Sequence, residues 1–394
     1  LSYAHCVRED PVRQGLLYVG TENGLYVSFN DGENWEPLQS NLPAAPVYWM
    51  VVQEHFNDLV VGTYGRGFWI LDDLTPVQQM NQTVRDSSAH LFPPRPTYRF
   101  RQGTVPVTMS DDPSAGQNPP YGAAISYYLK SAPAGDVRIR IQDAGGQTIR
   151  TLPGTKNVGL NRVTWNLEGE GSTEVRMRTS PEFAPEIKVG PDGTRNAPGT
   201  SRLSVLMPPG TYTVKLSAGG QELSQPLIVK KDPNSGGTEA EITTQTEMMF
   251  DLRKDLDSGA RMVNQIELIR SQLEQLAATL AGTSNSTSVK SAADALNKKL
   301  IEIEDNLIQR KLTGQGQDTV RYPPKLLAKI SYLAGGLASG DFGPTKQQRE
   351  VHTLFKQQLA GLRKRLDDVL NQDLPALNKL LADSGMKTVI KSTP

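Results

Sequence analysis

Cysteine is almost absent from this chain: Cys6 is the single one among 394 residues, so no internal disulfide can form. Histidine is nearly as scarce. His5, His55, His90 and His352 stand far apart, which leaves no Cys/His cluster with metal-ligand spacing and predicts no metal site. No apolar run approaches the roughly 18 residues of a membrane-spanning helix. Neither charge is in excess, since Lys+Arg and Asp+Glu are both 42, so no net field draws the chain to nucleic acid or an anionic membrane. Phosphate-binding Gly-Lys-Ser/Thr loops and Gly-x-Ser-x-Gly elbows are missing, and no cofactor is expected. His5 adjoins Cys6, but neighbours on a strand face opposite ways, which argues against a Cys–His nucleophile. Scarce cysteine does not fix the compartment. The chain opens at Leu1 without an apolar signal core, so any export signal is expected upstream.

What is present is periodicity, and it changes along the chain. The length suits two or three domains, and 27 prolines and 35 glycines fit modules joined by turns. An internal repeat pairs Leu17-Tyr-Val-Gly-Thr21 with Leu59-Val-Val-Gly-Thr63, about 42 residues on, the period of a four-stranded propeller blade. Each copy predicts two short strands around a tight turn, Thr21–Gly24 and Thr63–Gly67. Strands over Ala4–Glu9, Val47–Gln53 and Asn34–Leu38 would complete the first meander and leave the second without its outer strand.

Between the strands of the first repeat stands Ser28-Phe-Asn-Asp-Gly-Glu-Asn-Trp35. It resembles the Asp-box, Ser-x-Asp-x-Gly-x-Thr-Trp, with Asn30 and Asn34 as departures that still make turn bonds. Its role is structural: Ser28 and Asn30 tie the turn, Gly32 bends it and Trp35 packs back. Together with Thr63-Tyr-Gly-Arg-Gly-Phe-Trp-Ile-Leu-Asp-Asp73, the segment resembles the closing blades of bacterial sortilin-like, BNR-repeat β-propellers, often labelled glycosyl hydrolases. That resemblance implies a secreted, periplasmic or cell-surface protein of which residues 1–75 are about two terminal blades of an incomplete ring.

Residues 76–97, with Leu91-Phe-Pro-Pro-Arg-Pro96, read as a linker. Over 98–231, short alternating strands and turns such as Asp143-Ala-Gly-Gly146 predict a β-sandwich. Gly159-Leu-Asn-Arg-Val-Thr-Trp-Asn166 and Pro208-Pro-Gly-Thr-Tyr-Thr-Val214 resemble Ig-like modules of the hook-capping type. The Pro/Gly-rich stretch Gly169 to Arg202 is expected as a mobile loop interrupting it. From residue 238 to 394 the rhythm is helical: Met262, Ile266, Ile269, Leu273; Leu296, Leu300, Ile303, Leu307; Leu326, Ile330, Leu333, Leu337; and Leu359, Leu362, Leu366. Four such seams predict an antiparallel helical bundle, a surface through which the chain could oligomerise.

Alternate turns of a meander lie on opposite faces. In the propellers resembled, ligands bind opposite the Asp-box, which singles out Glu22, Tyr64 and Arg66 for a carbohydrate or protein ligand. No catalytic residues are expected. Glycoside hydrolysis needs two facing carboxylates, whereas Asp72-Asp73, Asp111-Asp112, Glu302, Glu304, Asp367 and Asp368 read as solvated. Tyr48, Trp49, Phe68 and Trp69 offer rings for a sugar-stacking platform, but at alternating strand positions they read as inter-blade core. The leading expectation is a non-catalytic portion of an exported propeller protein that binds a ligand or partner and presents its domains. The alternative is part of a polysaccharide-degrading glycoside hydrolase whose carboxylates lie in blades upstream.

Overall fold

The computed structural model describes residues 2–101, 116–280 and 287–392; Asp111-Asp112 lies outside them. The chain is mixed β and α and divides into two compact units, Leu1–Glu168 with Pro209–Pro233, and Gly169–Pro208 with Asn234–Pro394.

The first unit begins with two antiparallel meanders. β1 (Ala4–Glu9), β2 (Leu17–Thr21), β3 (Gly24–Ser28) and β4 (Glu36–Pro37) form one sheet in that order. β5 (Val47–Gln53), β6 (Asp58–Thr63) and β7 (Phe68–Leu71) form the second. Because side chains alternate along a strand, Cys6, Tyr18, Leu25 and Val27 share one face of the first sheet. They bury against Met50, Leu59 and Val61 of the second. Burying each such aliphatic side chain stabilises by roughly 1.5–3 kcal/mol.

By register, Cys6, Tyr18, Leu25 and Val27 correspond to Trp49, Val60, Phe68 and Ile70 in the second repeat. Those lie on its opposite face, where Trp49 is 62% and Phe68 85% exposed. The expectation that Tyr48, Trp49, Phe68 and Trp69 form core is therefore corrected. Only Trp69, which alternates to the packed face, lies against the core.

The segment read as a linker is structured. It holds α1 (Thr75–Gln79), α2 (Gln82–Asp86), β8 (Ala89–Leu91) and β9 (Thr97–Arg99). Next come β10 (Ala123–Leu129), β11 (Arg138–Gln142), β12 (Thr148–Pro153) and β13 (Gly159–Trp165). β14 (Arg176–Met177) and β15 (Arg195–Asn196) pair with each other in the second unit, and β16 (Gly210–Ala218) and β17 (Gln221–Lys231) return to the first. β8 pairs with β10 and β9 runs parallel to β17, giving sheets ordered β13-β10-β8 and β12-β11-β16-β17-β9. Prolines 93, 94 and 96 fall between the two short edge strands, where no ladder N–H is lost. Trp165 of one sheet meets Tyr212 of the other edge-on at 5.3 Å.

The second unit is led by α3 (Glu239–Leu280), followed by α4 (Thr287–Leu307), α5 (Asp318–Arg321), α6 (Leu326–Leu337), α7 (Lys346–Asp368) and, after a π-turn over Val369–Asp373, α8 (Leu374–Asp383). α3 begins well before the Met262 seam. Thr238 and Glu241 cap it reciprocally, the Glu241 carboxylate accepting the Thr238 N–H at 2.8 Å and the Thr238 hydroxyl accepting the Glu241 N–H at 3.2 Å, as a Thr-x-x-Glu box does. The π-turn precedes Pro375, whose ring cannot continue an α-helical ladder.

The stretch expected to loop out of the sandwich groups instead with the helices. Asp257, Asn264 and Glu267 lie on one face of α3 at steps of seven and three. They receive the backbone N–H groups of Thr173 at 2.5 Å, Arg176 at 2.8 Å and Thr179 at 2.9 Å. Helix side chains thus supply the backbone partners that a sheet would otherwise supply.

Candidate functional site

The first strand of each repeat carries a bulge at the same place. Ala4 pairs with Thr21 and Cys6 with Gly20, so His5 is the extra residue; Val47 pairs with Thr63 and Trp49 with Gly62, so Tyr48 is the extra residue. The turns that follow are held alike. Thr21 Oγ1 donates to the Gly24 carbonyl at 3.0 Å and Thr63 Oγ1 to that of Gly67 at 2.7 Å. The Glu22 N–H reaches the Tyr3 carbonyl, and the Tyr64 N–H reaches that of Pro46. Glu22 and Tyr64 therefore occupy equivalent positions.

Bulges re-aim side chains, and here they bring the two repeats together. His5 stacks on Tyr48 with ring centroids 4.2 Å apart, Tyr3 meets His5 edge-on at 5.1 Å, and Tyr64 lies 5.7 Å from Tyr48. His5 Nε2 is 2.7 Å from the Glu22 carboxylate. Tyr64 is 72% and Tyr48 48% exposed, so the cluster presents aromatic faces beside a hydrogen-bonding couple. Of the residues singled out from sequence, Glu22 and Tyr64 join it. Arg66 is exposed and its side chain forms no hydrogen bond or ion pair with it among the described residues; its carbonyl accepts the Trp69 indole N–H at 3.0 Å. His5 was not legible as a site residue, and Tyr48, a stacking ring in one reading of the sequence, was assigned to the core, because a bulge leaves no mark in the alternation. The shared Gly-Thr opposite each extra residue was the available signal.

The Asp-box-like turn is knit around Ser28, which is fully buried. Its hydroxyl accepts the Gly32 N–H at 2.9 Å and donates to the Asn30 side chain, which accepts the Asn34 N–H at 3.0 Å. Gly32, at φ +87°, lies with Trp35 beside it. Ser28, Asn30, Gly32 and Asn34 thus bond one another within the turn, and the Asp31 N–H ties it to the Gly15 carbonyl at 2.9 Å, a structural arrangement.

Three carboxylate expectations are corrected. Asp73 is buried, not solvated: its N–H donates to Asp58 at 2.8 Å and its carboxylate accepts the Thr75 N–H. Asp72 is half-buried in a groove of about 640 Å³ with Asp58, Arg95, Tyr98 and Arg162; burial, then the nearby Asp58, raises its carboxyl above the usual range. Glu304 is fully buried rather than on the helix surface. Arg270 bridges it at 2.7 Å to Glu267 at 2.5 Å, and Arg310 approaches at 3.3 Å. Glu302, Asp367 and Asp368 are exposed. Among the described residues no group of His, Cys, Asp and Glu is arranged to hold a metal ion, and no helix is long and apolar enough to cross a membrane.

No family model and no curated protein matches this chain. Among solved structures it is similar to the extracellular domain of the putative one component system BT4673 from B. thetaiotaomicron, at 13% identity and a TM-score of 0.15, over 58% of this chain. The match spans a quarter of that solved chain.

Proposed function

We propose that this chain is a non-catalytic portion of an exported sortilin-like, BNR-repeat propeller protein that binds a carbohydrate or protein ligand at the face around His5, Glu22, Tyr48 and Tyr64, with the Ig-like sandwich and helical region presenting it. The observation that carries the reading is the pair of matched bulges, which turn a histidine and a tyrosine from successive repeats onto one aromatic, hydrogen-bonding face. Exposed aromatic rings offer a ligand large contact area at low entropic cost, and the couple beside them offers orientation.

The packing of the repeats supports the propeller part. One face of the first meander seats on the opposite face of the second, so each meander has a seating face and a receiving face. Trp49, Val60, Phe68 and Ile70 repeat the seating pattern without a partner sheet among the described residues. Such stacking continues from blade to blade until a ring closes.

The test is a glycan array probed with the chain and with Tyr48→Ala, alongside capture of surface proteins by the same pair. Specific binding lost in Tyr48→Ala supports the reading. Binding that survives both Tyr48→Ala and His5→Ala places the ligand elsewhere and overturns it.

A further inference from the structure

The second meander ends on an open edge. β7 is the last strand of its sheet, and among the described residues no strand pairs with its outer side. The first repeat indicates what fits there. Leu25 pairs with Gly20 and Val27 with Tyr18, as Phe68 pairs with Gly62 and Ile70 with Val60. In the first sheet β4 takes that edge: Val27 pairs with Glu36, Tyr26 with Pro37, and the Leu38 N–H donates to the Leu25 carbonyl at 2.9 Å. The backbone groups of Leu25 and Val27 therefore point outward. Those of Phe68 and Ile70 do so by the same alternation, since the Gly67 carbonyl turns inward to accept the Thr63 N–H at 3.1 Å.

Exposed edges with free N–H and C=O groups are templates for another strand. Phe68 and Ile70 stand 85% and 59% exposed along this one, and a small apolar cavity of about 50 Å³ beside Leu38, Leu42, Val61, Trp69 and Leu71 has room for an aliphatic group.

We propose that β7 is a strand-addition site for an extended peptide partner, which docks antiparallel along Phe68–Leu71 in the place β4 holds in the first sheet. Backbone hydrogen bonds to Phe68 and Ile70 supply the affinity, and side chains at alternate positions supply the selectivity. The partner is a short apolar–acidic segment in the pattern of Trp35-Glu-Pro-Leu38, with proline tolerated because an outermost strand needs no further donor. This inference stands on the sheet edge alone and does not depend on the ligand face around His5.

The test titrates a synthetic peptide with the sequence of residues 34–40 into the full chain, read by amide hydrogen exchange, with a scrambled peptide as control. Saturable binding is expected, with exchange of the Phe68 and Ile70 amides slowed at least tenfold. Ile70→Pro removes the outward N–H and leaves the ladder to β6 intact, so it should weaken binding at least tenfold without changing the unfolding midpoint by more than a few degrees. Methylating the peptide nitrogen at the Leu38 position should do the same without altering the protein. Three results each overturn the proposal: Phe68 and Ile70 amides already protected in the free chain, binding that leaves them unprotected, or binding indifferent to the N-methyl group.

Discussion

His5 lies against Tyr48 at a 27° interplanar angle, each ring delivered by the extra residue of a bulge in the first strand of its own repeat. The stack couples the two meanders. His5→Ala and Tyr48→Ala should therefore be non-additive in a urea-unfolding double-mutant cycle, with a coupling energy of roughly 0.5–1.5 kcal/mol, the range of measured ring pairs. Additive effects would mean that the rings merely lie close.

Glu267 and Glu304 share Arg270, yet their environments push them apart. Burial raises Glu267, but Arg270 and the donors of Arg178 and Thr179 outweigh it and hold the carboxyl below its ordinary range. Glu304 is raised well above that range by burial first and by Glu267 next. One carboxyl of the pair thus holds the proton more tightly. Glu267 contributes stability that is complete above the ordinary carboxylate range and fades as pH falls through its lowered value. Glu304 works in the opposite sense: its contribution is complete below that range and declines as pH rises. Glu304→Gln alters the carboxyl that holds its proton more tightly and should cost less than Glu267→Gln. Glu267→Gln withdraws a buried charge and should cost about 3 kcal/mol or more. Unfolding at neutral pH measures both, and amide exchange over residues 173–182 should quicken only in Glu267→Gln.

Much of the fold was legible because alternation is a local signal. The strands Ala4–Glu9, Val47–Gln53 and Ala123–Leu129 fall where hydrophobic patterning sets them. What escaped is where non-local chemistry decides. Gly169 to Arg202 reads as a loop because its backbone partners are side chains of Asp257, Asn264 and Glu267, distant in sequence. Glu304 reads as surface because its partners, Arg270 on α3 and Arg310 beyond the end of α4, lie outside its own helix. Within the site, Glu22 and Tyr64 were legible as turn residues, whereas His5 and Tyr48 needed the register.

Cys6 sits at the seam of the repeats, its thiol donating to the Val47 carbonyl. Burial raises it, against a weaker lowering by the Gly20 backbone and by Arg8, so the reactive thiolate is suppressed. The native chain should resist alkylation by iodoacetamide at neutral pH and react fully in concentrated urea. The native rate then reports how often the two meanders part. Prompt labelling of the folded chain would contradict the packing of Cys6 against Val47.

Gly20 and Gly62 hold the same place in the two repeats, but their surroundings differ. A Cβ on Gly20 would lie 2.6 Å from Val47 Cγ1 and 2.6 Å from the Val47 carbonyl oxygen, while one on Gly62 meets nothing closer than 3.7 Å. Backbone cannot yield as a flexible side chain does, so Gly20→Ala should cost about 1–3 kcal/mol as overpacking. Gly62→Ala should be nearly neutral in this chain, as a β-sheet glycine replaced without a clash. The asymmetry follows from seating. Gly20 lies under the second meander, whereas Gly62 lies on the exposed face of Trp49 and Phe68, where the proposed propeller would seat a further sheet. In a longer polypeptide carrying more repeats, Gly62→Ala should become as costly as Gly20→Ala. Thermal unfolding of both variants in both lengths measures this, and a Gly62→Ala that stays neutral in the longer protein would mean that no sheet covers the face of Trp49 and Phe68.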